Sequence, residues 1–309
     1  MTDPRLRHDP VTGMWSVVTP GRSLRPHDGG ARGSAPCPFC AGNERLTPPE
    51  VEALRPGGDR ADGPGWTVRV VPNKFPVFAG GHEVVVHTPQ HDAALHELTV
   101  AGIEAILDTY RRRLAAHDDA GAAAALVIMN QGAAAGASLA HSHGQVFALP
   151  MVPPALVTEQ ANFALYLKEH SRCLLCDIVE RQRSEPSHLV IDGEVVAWTP
   201  QASRWPFETW LAPAAHAERF EAAATPALAQ ALKRVLSALA EVTAGAPLNF
   251  WLHTAPFASE SPFHWHLEIA PRTTTIAGFE LASGVAIDIV DPADAAAQLR
   301  AALGAGLGS

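Results

Sequence analysis

Four cysteines and six of the fifteen histidines fall into one ordered pattern that the chain uses twice. The first pass runs Cys37-Pro-Phe-Cys40, Pro89-Gln-His91 and His141-Ser-His143. The second runs Cys173-Leu-Leu-Cys176, Pro213-Ala-Ala-His216 and His264-Trp-His266. Fifty-one positions separate Cys40 from His91 and forty separate Cys176 from His216; the next steps, to His141 and His264, are fifty and forty-eight. Landmarks that recur in the same order at nearly the same spacing imply one supersecondary unit present in two copies.

The residues between the landmarks support that duplication. β-rich runs at 66–78 and 83–87 correspond to runs at 189–198 and 209–212. A helix is predicted after each. Ile103, Ile106, Leu107, Tyr110 and Leu114 share one helical stripe, and Thr225-Pro226 opens a second helix carrying Leu228, Leu232, Val235, Leu236 and Leu239. Strands at 125–129 and 249–253 follow, then strands bearing the paired histidines. The expected fold is therefore α+β: two tandem halves, each an antiparallel sheet with one long helix, related by a pseudo-twofold. The division falls between 1–155 and 156–309, within a boundary region at 151–171. A last helix is predicted from Asp291-Pro292, with 304–309 as a frayed tail.

A formal charge of -9 disfavours a polyanion over most of the surface, so nucleic acid is not the expected partner and phosphate recognition must be local. No stretch reaches the length of apolar residues that a membrane span needs, and the reading is a cytoplasmic protein. In that compartment, two Cys-x-x-Cys pairs with no cysteine left over point to metal rather than disulfides. Cys37, Cys40, His91 and His141 make a closed, electrically neutral set suited to tetrahedral zinc, and Cys173, Cys176, His216 and His264 make a second. A zinc finger is excluded because its histidines follow the cysteines far sooner and at a different mutual spacing.

The segment from Asn130 through Gly136, Ser138, His141 and His143 to Gln145 concentrates the chemistry. On an extended strand, His141, His143 and Gln145 share a face, so one imidazole can bind metal while its neighbour meets substrate. Histidine suits nucleophilic attack on phosphorus: its neutral form is abundant at pH 7, and one ring nitrogen attacks while the other is held. His143 is the expected nucleophile. Gln145 and Ser138 are expected to donate to phosphate oxygens, and the Gly/Ala run lets backbone amides approach them.

These residues, with His8-Asp-Pro-Val-Thr-Gly-Met-Trp15, Arg22-Ser-Leu-Arg25, Val71-Pro-Asn73-Lys-Phe-Pro76, Trp205-Pro-Phe-Glu208 and Gly278-Phe279-Glu280, carry a resemblance over nearly the whole chain. The sequence resembles the galactose-1-phosphate uridylyltransferase family of the histidine triad superfamily. The resemblance implies a ping-pong reaction: UDP-glucose uridylylates His143, glucose 1-phosphate leaves, and galactose 1-phosphate accepts the UMP. It also implies phosphate contacts from Arg22, Arg25 and Ser138, nucleotide contacts from Asn73 and Asn130 beside Gly136, hexose contacts from Glu280 beside Phe279, and a homodimer.

Three departures stand out. Ser142 replaces a proline usual between the paired histidines, a hexose-binding glutamine has no counterpart at 281–287, and the Cys173/Cys176 pair is similar to the ADP-glucose phosphorylase branch. That branch gives the alternative reaction, with inorganic phosphate as acceptor. The family's bacterial type also places a metal, zinc or iron, on residues matching Glu159, His253, His264 and His266, which competes with the thiolate set for His264. Glu268 stands where Gln145 stands in the first half, and a carboxylate there would repel phosphate, so the second half is not expected to be catalytic. Outside this chemistry, a hydrolase of the same superfamily or a zinc-stabilised binding module remain as readings.

Overall fold

The computed structural model describes residues 5–24, 36–58 and 60–305. A small hairpin of β1 (Arg5–His8) and β2 (Trp15–Val18) stands apart from the main sheet. The main sheet takes ten strands. In chain order they are β3 (Glu52–Leu54), β4 (Val68–Pro72), β5 (His82–Val86), β6 (Ala124–Gln131), β7 (His143–Leu149), β8 (Leu189–Ile191), β9 (Val195–Trp198), β10 (Thr209–Pro213), β11 (Leu248–His253) and β12 (His266–Pro271). Their spatial order is β3-β4-β5-β7-β6-β11-β12-β10-β9-β8, every neighbouring pair antiparallel.

Read from the β6/β11 junction outward, that order is the same in both directions. The antiparallel sheets expected for the two halves have five strands each and are joined edge to edge into one sheet, through antiparallel pairing of Leu248 with Gln131 up to Leu252 with Val127. Joining them this way removes one exposed edge from each half, which would otherwise offer unpaired amides to any passing strand.

Helices α1 (Val100–Asp119), α4 (Thr225–Val242) and α6 (Pro292–Ala305) cover one face of the sheet, whereas α2 (Pro154–His170) and α3 (Leu174–Ser184) pack on the other; α5 (Gly278–Ser283) is a short surface turn of helix. Thr99 caps α1 by accepting from the amide of Gly102, and the expected stripe of Ile103, Ile106, Leu107, Tyr110 and Leu114 is buried. That stripe shares a core with Val85, Val127, Met129 and Val146, while α4 lies over Leu211, Phe250, Leu267 and Ile269.

Strand alternation then sends the intervening side chains to the opposite face. On that face Ile128 of β6 lies directly across from Gln145 of β7, and Asn130 continues the same row. The chemistry is therefore sorted to one side of the sheet and the helical core to the other.

Two expectations are corrected, and the segment between the halves takes on a structure. His141 is not on a strand: β7 begins at His143, so His141 sits in the preceding turn and reaches its partners from there. The boundary region at 151–171 is mostly helix, because Pro153 and Pro154 start α2, and its end is marked by Ser171 in the left-handed region at φ 56°. The last helix runs on to Ala305, so the chain is not frayed from 304; 306–309 lie outside the described residues. Among the described residues no helix is long and apolar enough to cross a membrane.

Gly144 records how tightly the two layers meet. A Cβ built there would stand 1.9 Å from the Tyr110 hydroxyl of α1. Gly144→Ala should therefore destabilise the fold by about 1–3 kcal/mol in denaturant melts, as overpacking of a filled core does. Adding Tyr110→Phe should recover part of that loss, since it removes the clashing oxygen.

Candidate active site and metal cages

Cys37, Cys40, His91 and His141 converge, with their ligand atoms all within 4.8 Å of one another. Cys40 Sγ lies 3.3 Å from His91 Nδ1, and His141 Nδ1 lies 3.7 Å from both sulfurs. Tetrahedral zinc with thiolate and imidazole ligands puts neighbouring donor atoms about 3.6 Å apart, so this set has the right dimensions. The ring on the far side agrees: His141 Nε2 donates to the Thr88 carbonyl at 2.7 Å, which leaves Nδ1 unprotonated and turned to the sulfurs. Burial holds His141 in the neutral form that binds metal, and pushes the Cys37 thiol up to about 11, with the neighbouring Cys40 adding to the shift. A cation is what such thiols need in order to ionise.

The second set repeats the arrangement. Cys173 Sγ and Cys176 Sγ stand 3.7 and 3.5 Å from His264 Nδ1, and Cys176 lies 3.7 Å from His216 Nδ1. His264 Nε2 donates to the Pro213 carbonyl at 3.2 Å, as His141 does to Thr88. Burial and then His216 lower His264 to about 4.

A third cluster changes the expected competition for His264. Glu159, His253, His266 and Glu268 bring one ligand atom each within 4.8 Å of one another, with Glu268 in the place expected for His264. Both sets can therefore be complete at once. Glu159 Oε2, His253 Nδ1 and His266 Nε2 are buried without hydrogen-bond partners, and two carboxylates with two imidazoles form a donor set for a divalent cation such as zinc or iron.

His143 is 5% exposed and opens β7. Its Nδ1 donates to the carbonyl of His141 at 2.7 Å, which assigns the proton to Nδ1 and the lone pair to Nε2. Phe39, from the first Cys-x-x-Cys, lies against the ring at a centroid distance of 5.2 Å. Behind it, Ser142 takes the place of the usual proline and meets His87 Nδ1 at 2.9 Å; His87 Nε2 meets the Tyr110 hydroxyl at 2.7 Å. Full burial, with the nearby His143 and His141, holds His87 well below its ordinary pKa.

Gln145 is oriented by a residue that the motif reading missed. His82 Nδ1 accepts from the amide of Val77 at 3.1 Å, so in the neutral ring Nε2 carries the proton and donates to Gln145 Oε1 at 2.9 Å. That leaves the amide nitrogen of Gln145 as its donor end. The available signal was weak: a histidine opening β5, directly opposite Phe147 and two residues before the Val84 that faces Gln145. Asn73 lies beside the same group, its Oδ1 accepting from the Phe75 amide. Arg22 holds the Phe75 carbonyl at 2.6 Å, which ties it to this loop and uses part of its donor capacity there. Arg25 lies outside the described residues.

Gly136, left-handed at φ 85°, and buried Ser138 lie in the turn between β6 and β7, and Asn130 sits at the end of β6. Phe279 and Glu280 are not with this group. Both are on α5, Phe279 is exposed, and Glu280 caps its own helix at Ala277 and lines a shallow cleft of about 240 Å³ with Arg204, Trp205 and Thr274.

The equivalent position in the second half is filled by charge. Burial alone would raise Glu268, but His266, Arg204 and His253 bring it down to about 2, and Glu268 in turn raises His266 against the effect of burial. Arg204 bridges Glu268 and Glu208. An incoming phosphate would meet a buried, paired carboxylate of like charge there.

Comparison with known proteins agrees with this geometry. The model of the galactose-1-phosphate uridyl transferase N-terminal domain matches residues 74–153. An ADP-glucose phosphorylase of Arabidopsis thaliana is 33% identical, covering 96% of this chain and 92% of the relative. This chain belongs to the galactose-1-phosphate uridylyltransferase family of nucleotidyltransferases. A galactose-1-phosphate uridylyltransferase of Thermotoga maritima is 27% identical over 96% of this chain and 97% of its own. Among solved structures, the Arabidopsis ADP-glucose phosphorylase with bound ADP-glucose matches at TM-score 0.77 and 31% identity, covering 96% of this chain and 99% of that one. A uridylyltransferase matches at TM-score 0.83 and 30% identity, covering 97% and 98%.

The cages lead to a countable outcome. Elemental analysis of the purified protein should find a zinc in each thiolate set, and Cys37→Ser should lose one equivalent and unfold at lower temperature, because the metal's binding energy is folding energy. An unchanged zinc content in that variant would remove the first cage.

Proposed function

We propose that this protein is a nucleotide-sugar phosphorylase that moves AMP from ADP-glucose to inorganic phosphate through a nucleotidyl-His143 intermediate. The observation that carries the reading is the His143 ring: with Nδ1 donating to the His141 carbonyl, Nε2 is the nucleophilic atom. Nε2 attacks the α-phosphorus, the bond from that phosphorus to the oxygen of glucose 1-phosphate breaks, and glucose 1-phosphate departs. Phosphate then attacks the same phosphorus, the P–N bond breaks, and ADP leaves with the His143 ring restored. The α-phosphate oxygens, in the bound nucleotide as in the transition state, meet the donor ends of Gln145 and Asn130, the Ser138 hydroxyl and the amides at the start of the turn, from Gly132 to Ala134. Asn73 and Arg22 order the loop beside them, and Arg25 is assigned to the phosphates with Arg22.

Cys37, Cys40, His91 and His141 would hold zinc, which supplies a rigid anchor for the turn ahead of His143 and no reacting group. A second cation, zinc or iron, would stiffen the other half. Residues 1–155 then form the catalytic unit and 156–309 the supporting one. Because Glu280 lines a different cleft and Phe279 is exposed beside it on α5, both are assigned to the sugar in the site of a second copy, in a homodimer.

ADP-glucose is preferred over UDP-glucose on the identity to the Arabidopsis phosphorylase, on Ser142 between the histidines and on the complete Cys173/Cys176/His216/His264 set. Uridylyl transfer from UDP-glucose to galactose 1-phosphate is the second reading, favoured by Glu280 in the position of the family's hexose-binding acid.

Intact-mass measurement after mixing with ADP-glucose or UDP-glucose separates the two. An adenylyl adduct is expected, removed by phosphate, and His143→Ala should abolish it without loss of zinc. A uridylyl adduct alone would select the second reading, and an adduct surviving in His143→Ala would move the nucleophile elsewhere.

A further inference from the structure

The direction of the Asn130 amide is dictated from the other half of the chain. Asn249 of β11 is its register partner across the junction of the two half-sheets. Arg272 directs Nε at Asn249 Oδ1, 2.5 Å away, and a guanidinium offers donors and no acceptor. The amide nitrogen of Asn249 must then face the other way. There it meets two oxygens, Asn130 Oδ1 at 2.7 Å and the Ala135 carbonyl at 2.8 Å. One end of this chain is a pure donor and the other a peptide carbonyl, a pure acceptor, so neither amide can be reversed without setting like groups against each other. Asn130 is compelled to give its oxygen to Asn249 and to keep its NH₂ for something else.

The same segment braces the turn itself. A Cβ on Gly132 would lie 2.9 Å from Pro247, the Gly132 backbone is at φ 84°, and the Arg272 amide donates to the Pro247 carbonyl at 2.7 Å. Pro247, Asn249 and Arg272 thus hold both ends of the 130–136 segment. The residue offset that carries His143 onto His266 carries Leu126 onto Asn249, and a leucine can make neither bond. The brace therefore belongs to the side of the repeat that keeps the nucleophile.

We propose that Asn249 and Arg272 are positioning residues for the transfer reaction: they aim the Asn130 NH₂, and fix the Gly132–Gly136 turn, toward the α-phosphate of the nucleotide sugar. This rests on the assignment of Asn130 to that phosphate, and the test separates the two. Asn249→Asp keeps shape and its bond to Arg272, but places an acceptor against Asn130 Oδ1 and the Ala135 carbonyl. Asn130 must then turn its oxygen toward the phosphate. The expected result is a fall of about ten- to hundredfold in kcat/KM for ADP-glucose, carried by KM, with a melting temperature within a few degrees of the parent. Arg272→Gln, which lets the Asn249 amide reverse, should give a smaller loss in the same parameter if Asn249→Asp fails to fold. Asn249→Asp and Arg272→Gln both within twofold of the parent, while Asn130→Ala loses affinity, would overturn the brace. Loss in neither Asn130→Ala nor Asn249→Asp would instead overturn the assignment of Asn130, and with it this proposal.

Discussion

Everything at the site depends on one short bond, from His143 Nδ1 to the carbonyl of His141 two residues earlier. A donor that close in sequence fixes the ring only if its acceptor is itself immobile. The acceptor here is the backbone of a cage residue: the His141 side chain reaches two sulfurs through Nδ1 and the Thr88 carbonyl through Nε2. Behind the same turn, Ser142 meets His87 and His87 meets Tyr110, so the backbone is pinned from the cysteine–histidine cluster and from the helical core. The proline usual in the family would stiffen this turn through its ring; serine achieves it through a buried hydrogen-bond chain.

The sheet is nearly symmetric and its chemistry is not. β7 and β12 occupy equivalent places, each opening with a histidine whose Nδ1 donates to the carbonyl of a cage histidine. What separates them lies two residues on. Gln145 is a neutral donor steered by His82, whereas Glu268 is a buried anion steered by Arg204 and His266. Duplication supplied the frame twice, and two residues past the strand-opening histidine one copy carries a neutral amide and the other a buried carboxylate.

Those parts of the molecule that follow from local pattern were legible in the chain. The Cys-x-x-Cys and His-x-His spacings led to two four-ligand cages, and the helical stripe from Ile103 to Leu114 is buried as read. The groups that aim the site were not legible. His82 reaches Gln145 across 63 positions and Asn249 reaches Asn130 across 119, so each pairing depends on strand register that no local motif encodes. In the third cluster Glu159, His253 and His266 stand together as read, and only the fourth member differs: Glu268, two residues along β12 from His266, stands where His264 was expected, while His264 belongs to the cysteine set.

The central claim is that Nε2 of His143 becomes bonded to phosphorus. Protein labelled with ¹⁵N at histidine, trapped with ADP-glucose in the absence of phosphate and measured by ³¹P NMR, tests it at the level of the atom. A phosphoramidate signal with one-bond coupling to the Nε2 of His143 is the predicted result. Coupling to an Nδ1, coupling to a different histidine, or a phosphorus signal with no nitrogen coupling would contradict it.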